Sequence, residues 1–293
     1  MSNSIALADK FTPILDEIYK RESVTARLDA MTKPIDFGGV NEVKIFKTSV
    51  VGLGTYSRST GYPAGDVTAT WETVQLAQER GRAFSIDRMD NEETLGMAFG
   101  TLASEFVRTQ VAPEVDAYRF AKWASWSGVS AATPAALTTA AGVLAAVDVA
   151  NGQLDTDQVP EEGRILFISQ THYRLLMAAV TRSIENQNNF DRRLKNLDGI
   201  EIIPVPQGRF STAVTLNAGA TSNVGGFAAS GSNINFMLIH PSARDQATKL
   251  VNLKIFSPEE NQLADGWLFQ YRLYHDTWVY DNKVDGIYVH AAS

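Results

Sequence analysis

Residues 84–124 read FSIDRMDNEETLGMAFGTLASEFVRTQVAPEVDAYRFAKWA. The reading is a short strand, a capped turn and one very long helix interrupted by a proline. Leu95, Phe99, Leu102 and Phe106 are spaced four, three and four, so they share one helix face and form its core stripe. Asp90 is the expected N-cap, with Glu93 three residues on completing a capping-box pair. Pro113 removes one helical hydrogen bond and predicts a kink. Val115, Phe120 and Trp123 carry the apolar face onward, and Asp116 with Arg119 reads as a surface pair. Roughly 35 residues of helix span about 50 Å, long for a globular chain. A rod with nothing catalytic on it points to construction rather than chemistry.

On either side of this rod the chain changes character. Before it, residues 43–48 and 67–76 read as the two strands of a long hairpin, with Val67, Ala69 and Trp71 alternating against Thr68, Thr70 and Glu72. The connection VVGLGTYSRSTGYPAGD predicts a long flexible tip rather than a tight turn. A two-stranded hairpin has too little core to stand alone in water, so it is expected to rest on another chain. Earlier still, Thr12-Pro13 opens a short amphipathic helix with Ile14, Leu15, Ile18 and Tyr19 on its apolar stripe.

After the rod, residues 128–134 form a break. A helix over residues 134–151 is expected, capped by Thr133, with Leu137, Leu144 and Val147 inward and Gly152 as its stop. Residues 164–168 read as a buried strand, Ser169 as the cap of a following helix, and residues 200–205 and 235–240 as further strands, an α/β pattern. Residues 181–198 read as an exposed polar loop and residues 217–233 as a Gly/Ala/Ser loop. The last third returns to strands at 249–256, 267–280 and 286–290. The aromatic run at 267–280 is expected to be central and to pack on the rod.

Composition narrows the function classes. The 293 residues are 44% hydrophobic, enough for a core, and hold no cysteine, which excludes disulfides, thiolate metal sites and cysteine nucleophiles. The net charge of −7 is opposite to what a broad nucleic-acid grip requires. No apolar run approaches the length of a membrane span. Motifs for a P-loop, a zinc protease or a nucleophile elbow are missing, and Gly52-Leu-Gly54 lacks the helix that a dinucleotide site needs. Two weak constellations remain. Asp87, Asp90, Glu92 and Glu93 could hold a hard cation, although helix capping explains them. His275-Asp276 could form a triad with a distant serine such as Ser242. The other histidines, His172, His240 and His290, have no metal-type partner at short spacing.

The order of parts, with Phe84-Ser-Ile-Asp-Arg-Met-Asp90 and Val111-Ala-Pro-Glu-Val-Asp-Ala-Tyr118, resembles tailed-phage major capsid proteins of the Hong Kong 97 type over essentially the whole chain. The resemblance implies an α+β fold with an N-terminal arm (1–35), an extended E-loop hairpin (36–83), a peripheral domain with the spine helix (84–130 and 245–293) and an α/β axial domain (131–244). It implies a structural, non-enzymatic subunit that assembles through pentamers and hexamers into an icosahedral shell around double-stranded DNA. It implies no cofactor, metal or membrane. The shell would be made in the bacterial host cytoplasm and reside in the virion.

Expected inter-subunit contacts are Ile14, Ile18, Lys44, Lys47, Tyr56, Arg58, Tyr62 and Trp71. Some relatives cross-link through an E-loop lysine. Lys44 and Lys47 lie in the right hairpin, but the other two roles have no match, so no cross-link is expected. About 35 residues precede the hairpin, which implies a separate scaffolding protein, beside a portal and a possible decoration protein. The competing readings are an encapsulin shell of the same fold, a soluble α/β hydrolase-like enzyme, and a tail or neck component.

Overall fold

The computed structural model describes residues 23–29, 42–93, 105–180, 194–219, 224–262 and 264–293. In chain order these form α1 (Ala26–Asp29), β1 (Glu42–Val50), β2 (Val67–Gln75), β3 (Gln78–Asp87), α2 (Arg88–Glu93), α3 (Ala112–Ala124), β4 (Ser130–Ala131), α4 (Ala140–Thr156), β5 (Ile165–Ser169), α5 (Gln170–Ala179), β6 (Asn196–Leu197) and β7 (Ile200–Val205). There follow β8 (Val214–Leu216), β9 (Phe227–Ala229), β10 (Ile234–Ile239), β11 (Arg244–Phe256), β12 (Gly266–Val279) and β13 (Ile287–Ala291).

Two sheets carry the core. One is six-stranded, in the order β4-β13-β10-β5-β7-β6. Its central strands β5 and β10 are buried at every position, because both faces are covered and strand side chains alternate between them. Leu166, Ile168, Phe236 and Leu238 point toward α4 and α5, meeting Val143, Val147, Leu154 and Leu176. Ile165, Phe167, Met237 and Ile239 point the other way, meeting Phe120 and Trp123 of α3 and Val24 and Leu28 around α1. The second sheet is three-stranded, β11-β12-β3, all antiparallel. Its Phe269, Tyr271 and Leu273 pack with Phe84, Phe106, Val107, Val111 and Val115, the aromatic strand against the rod as the sequence suggests.

Helix α3 therefore serves both sheets. A π turn, Val107–Val111, leads into it, and the Ala112 N–H bonds the Val107 carbonyl. This wide turn sits just before Pro113, whose ring cannot donate and would crowd the preceding carbonyls. Three of the four expected stripe residues, Leu95, Phe99 and Leu102, lie outside the described residues.

Several boundaries differ from the sequence reading. The helix expected from residue 134 begins at Ala140 and continues past Gly152 to Thr156, and its cap is Thr139, which accepts from the Gly142 N–H at 3.1 Å. Residues 132–135 are instead drawn out along β13, where the Ala132 and Ala135 amides bond the Val289 and Ala291 carbonyls. The cap of α2 is Asp87, whose carboxylate accepts from the Met89 N–H at 2.9 Å, and Asp90 lies inside the helix. Strand β3 spans Gln78–Asp87 without a break, and β11 starts at Arg244. The final strand β13 joins the six-stranded sheet of the α/β lobe, not the sheet of β11 and β12, because Ile287, Tyr288 and Val289 are buried on both of its faces.

Candidate assembly surfaces

Strands β1 and β2 form a separate two-stranded sheet with nine opposed pairs and no slip in register. Directly opposed residues in an antiparallel pair share a face, so the register sorts the hairpin into two sides. One side carries Val43, Val74 and Ile45, which pack on Leu76, Ala247, Trp278 and Tyr280 of the body. On that same side Lys47 lies between Glu72 (2.6 Å) and Asp281 (2.5 Å). The hydrogen bonds it donates to the Asp281 and Glu72 carboxylates hold its ammonium above the usual lysine range.

The other side carries Phe46 opposite Trp71 and Val50 opposite Val67. The two rings are 4.9 Å apart, and Phe46 and Trp71 remain 54% and 65% exposed. Among the described residues this side stays open to solvent. Lys44 is exposed on it too.

The tip holds more local order than its composition suggests. Ser57 and Gly61 exchange two backbone hydrogen bonds (3.2 and 2.8 Å), closing a tight turn over Arg58, Ser59 and Thr60. Gly61 takes φ +80°, a conformation that glycine adopts without strain. Tyr56 and Tyr62 meet edge to face at 4.9 Å above the turn, both exposed, as is Arg58. Of the expected contact residues, the structure thus brings Tyr56, Arg58 and Tyr62 together at the tip, places Lys44 and Trp71 on the outward side, and ties Lys47 into its own subunit. Ile14 and Ile18 lie outside the described residues.

A second edge of the subunit is built differently. Asp116 and Arg119 are not a surface pair: both are buried, and both bond Thr25 Oγ1. The Asp116 carboxylate accepts from Ser23 Oγ (2.7 Å), the Val24 N–H (3.0 Å), the Thr25 N–H (3.2 Å) and Thr25 Oγ1 (2.6 Å). Arg209 Nη1 completes its shell at 3.0 Å. Arg119 donates to Thr25 Oγ1 at 2.7 Å and pairs with Asp29 at 3.1 Å, while Arg244 donates to the Leu28 carbonyl at 2.9 Å. Burial pulls the Arg119 guanidinium down, and burial together with Arg119 pushes Arg244 down to about 10. Burial also raises the Asp29 carboxyl, against the pull of Arg119 and Arg244. Residues 23–29 are thereby clamped onto α3 by charges that sequence spacing cannot reveal, since Ser23 and Asp116 lie 93 positions apart.

No triad forms at His275. Its neighbour Asp276 is committed elsewhere, accepting from Tyr118 Oη (2.8 Å), Lys122 Nζ (2.7 Å) and the Ala77 N–H (2.9 Å). His275 stacks edge on to Tyr118 and is pushed down to about 4, chiefly by burial. Ser242 is bonded to His240 Nδ1 at 2.7 Å in a short turn. Among the described residues no group of three or more His, Asp or Glu side chains converges as a metal site. Nor does any described helix have the length and apolarity to cross a membrane.

No protein-family model and no curated protein sequence matches the chain. Solved structures do match, over nearly its full length. The capsid structure of the cyanophage P-SCSP1u covers 98% of this chain and 93% of its own, with a TM-score of 0.70 at 13% identity. A chain from Mycobacterium phage Che8 covers 97% and 96%, with a TM-score of 0.67 at 15% identity. The asymmetric unit of the bacteriophage PhiM1 mature capsid covers 98% and 92%, with a TM-score of 0.64 at 12% identity. The mixed helix-and-sheet arrangement described above is thus the fold of a tailed-phage major capsid protein.

Proposed function

We propose that this chain is a major capsid protein, whose copies assemble through pentamers and hexamers into an icosahedral shell around double-stranded DNA. The single observation that carries the reading beyond the fold is the outward side of the hairpin. Phe46 and Trp71 are an aromatic pair in contact, yet more than half of each faces solvent. Aromatic side chains bury large areas at interfaces, and an exposed strip of this kind on a two-stranded hairpin is stable when a neighbour covers it. In this reading residues 36–83 are the E-loop, residues 1–35 the arm, the helix ending in α3 the spine, and the α4–α5 lobe the axial domain. The six-stranded sheet then carries β13 as well.

Assembly uses symmetry: each subunit makes modest contacts with several neighbours, and rotation closes them. The net charge of −7 suits a shell that encloses DNA without gripping its sequence. Separate scaffolding, portal and decoration proteins are the partners expected, with assembly in the bacterial host cytoplasm and residence in the virion. The test is negative-stain electron microscopy of the purified chain, alone and after addition of a lysate containing the scaffold. Closed shells, or rings of five and six, are expected. Compact monomers under both conditions would overturn the proposal.

A further inference from the structure

A cavity of about 320 Å³ opens where β3, β12 and the rod meet the loop between β8 and β9. That volume lies at the lower end of the range for small-molecule sites. Three rings line it: Phe84 of β3, Tyr271 of β12, and Phe106 just ahead of the π turn. Phe106 meets Phe84 edge to face at 5.0 Å and Tyr271 at 5.8 Å, so the rings make a fixed aromatic corner.

The rim is polar and held in place. Arg80 grips Glu114 through Nε (2.6 Å) and Nη2 (3.2 Å), and the same Nη2 donates to the Asn217 and Gly226 carbonyls at 3.0 and 3.3 Å. The loop is thereby fastened to the rod. Arg80 and Glu114 offset one another, which leaves the positive charge of Arg82 among the lining residues. Two loop glycines make room for that guanidinium: a Cβ on Gly219 would stand 2.6 Å from Arg82 Nη1, and one on Gly225 3.4 Å. Arg82 is directly opposite Tyr271 in the sheet, so the two side chains rise from one face. Tyr271 is only 9% exposed, and its hydroxyl has no hydrogen-bond partner among the described residues. Burial raises that hydroxyl, which keeps it a donor at neutral pH.

We infer that this cavity binds a small planar aromatic carboxylate, with its ring in the corner of Phe84, Phe106 and Tyr271 and its carboxylate at Arg82 and the Tyr271 hydroxyl. The aromatic walls select a ring, which packs edge to face or offset against them. The guanidinium fork selects a planar anion. The volume sets the size at one or two fused rings. Such a ligand touches β3, β12, the rod and the β8–β9 loop at once, and so stabilises the subunit by mass action. The inference goes beyond the shell reading and does not depend on it.

The probe is 1-naphthoate, titrated with the unassembled chain and read by its own fluorescence anisotropy, with melts recorded in its presence and absence. Saturable binding and a raised melting temperature are expected. Tyr271→Phe, which removes only the hydroxyl, should weaken binding about threefold to tenfold, and Arg82→Met about tenfold or more. Ala218→Trp, at an exposed position on the rim, should abolish binding and leave the probe-free melt unchanged. The neutral 1-naphthalenemethanol should bind at least about tenfold more weakly than the carboxylate. No saturable binding at millimolar probe would overturn the inference. Undiminished binding to the Tyr271→Phe and Ala218→Trp variants would do the same, because it would place the probe on another surface. Equal binding of the neutral alcohol would overturn the assignment of an anion. If Arg82→Met fails to fold, the other two variants decide.

Discussion

The hairpin and residues 23–29 are both peripheral, and both read from sequence as segments in need of a neighbour. The structure separates them. Residues 23–29 are held by their own subunit: one buried carboxylate, Asp116, takes four hydrogen bonds from them and a fifth from Arg209. The hairpin is held along one side, through Val43, Val74, Ile45 and the Lys47–Asp281 ion pair, and turns its aromatic side away from the body. One segment contributes to the stability of the subunit, and the other contributes what the subunit offers to its surroundings. Substitutions in the two should consequently differ in kind.

The largest effect on the subunit is expected at the clamp. Asp116→Ala takes the carboxylate away from the buried guanidinium of Arg209 and from the Val24 and Thr25 N–H donors. Removing one partner of a buried pair costs about 3–5 kcal/mol. Urea unfolding of the unassembled chain should show a loss of that order. A loss under about 1 kcal/mol would mean that the clamp does not hold the subunit together, and the contrast with the hairpin would fail.

Acid should act on the body in a predictable direction. His275 lies under Tyr118 with Arg119, Lys122 and Arg80 nearby, and its folded value is pushed down to about 4. The unfolded chain has an imidazole near 6.5 and so binds the extra proton first as pH falls. Stability is fully present above about pH 6.5 and is lost between there and about pH 4, by as much as about 3 kcal/mol. His275→Phe should flatten that part of the pH–stability curve. A slope unchanged in the variant would assign the acid sensitivity to other groups.

How much of this was legible follows from the range of each signal. Strand alternation and short apolar runs are local signals, so the hairpin, β5, β7 and β10 could be read directly. Tip composition was a poorer guide, because the Ser57–Gly61 turn depends on one glycine among several. Thr133-Pro134 and Thr139 both carry helix-start chemistry, and the choice was made by β13, whose carbonyls take the amides of 132 and 135. The role of Asp116 was hidden for the same reason: Arg119, three residues on, looked like a sufficient partner, while the real ones come from residues 23–25 and 209. The two sides of the hairpin were legible as sets of residues. Which side faces the body was not, because that depends on Ala247 and Trp278 far along the chain.

The smallest effect on the subunit is expected where the effect on assembly is greatest. Phe46 and Trp71 contact each other and are more than half exposed, so replacing both by serine removes one aromatic pair and opens no buried cavity. Substitutions at exposed sites usually fall within about 0.5 kcal/mol, and loss of the ring pair adds about 0.5–1.5 kcal/mol at most. The melting curve of the unassembled variant should lie close to that of the parent. Its yield of shells should collapse, because many symmetry-related copies of the contact are lost at once. A variant that melts much lower would show the aromatic side bracing its own subunit after all. One that melts normally and still forms shells would show that the exposed aromatics are not the adhesive surface, and the distinction between clamp and hairpin would have to be drawn elsewhere.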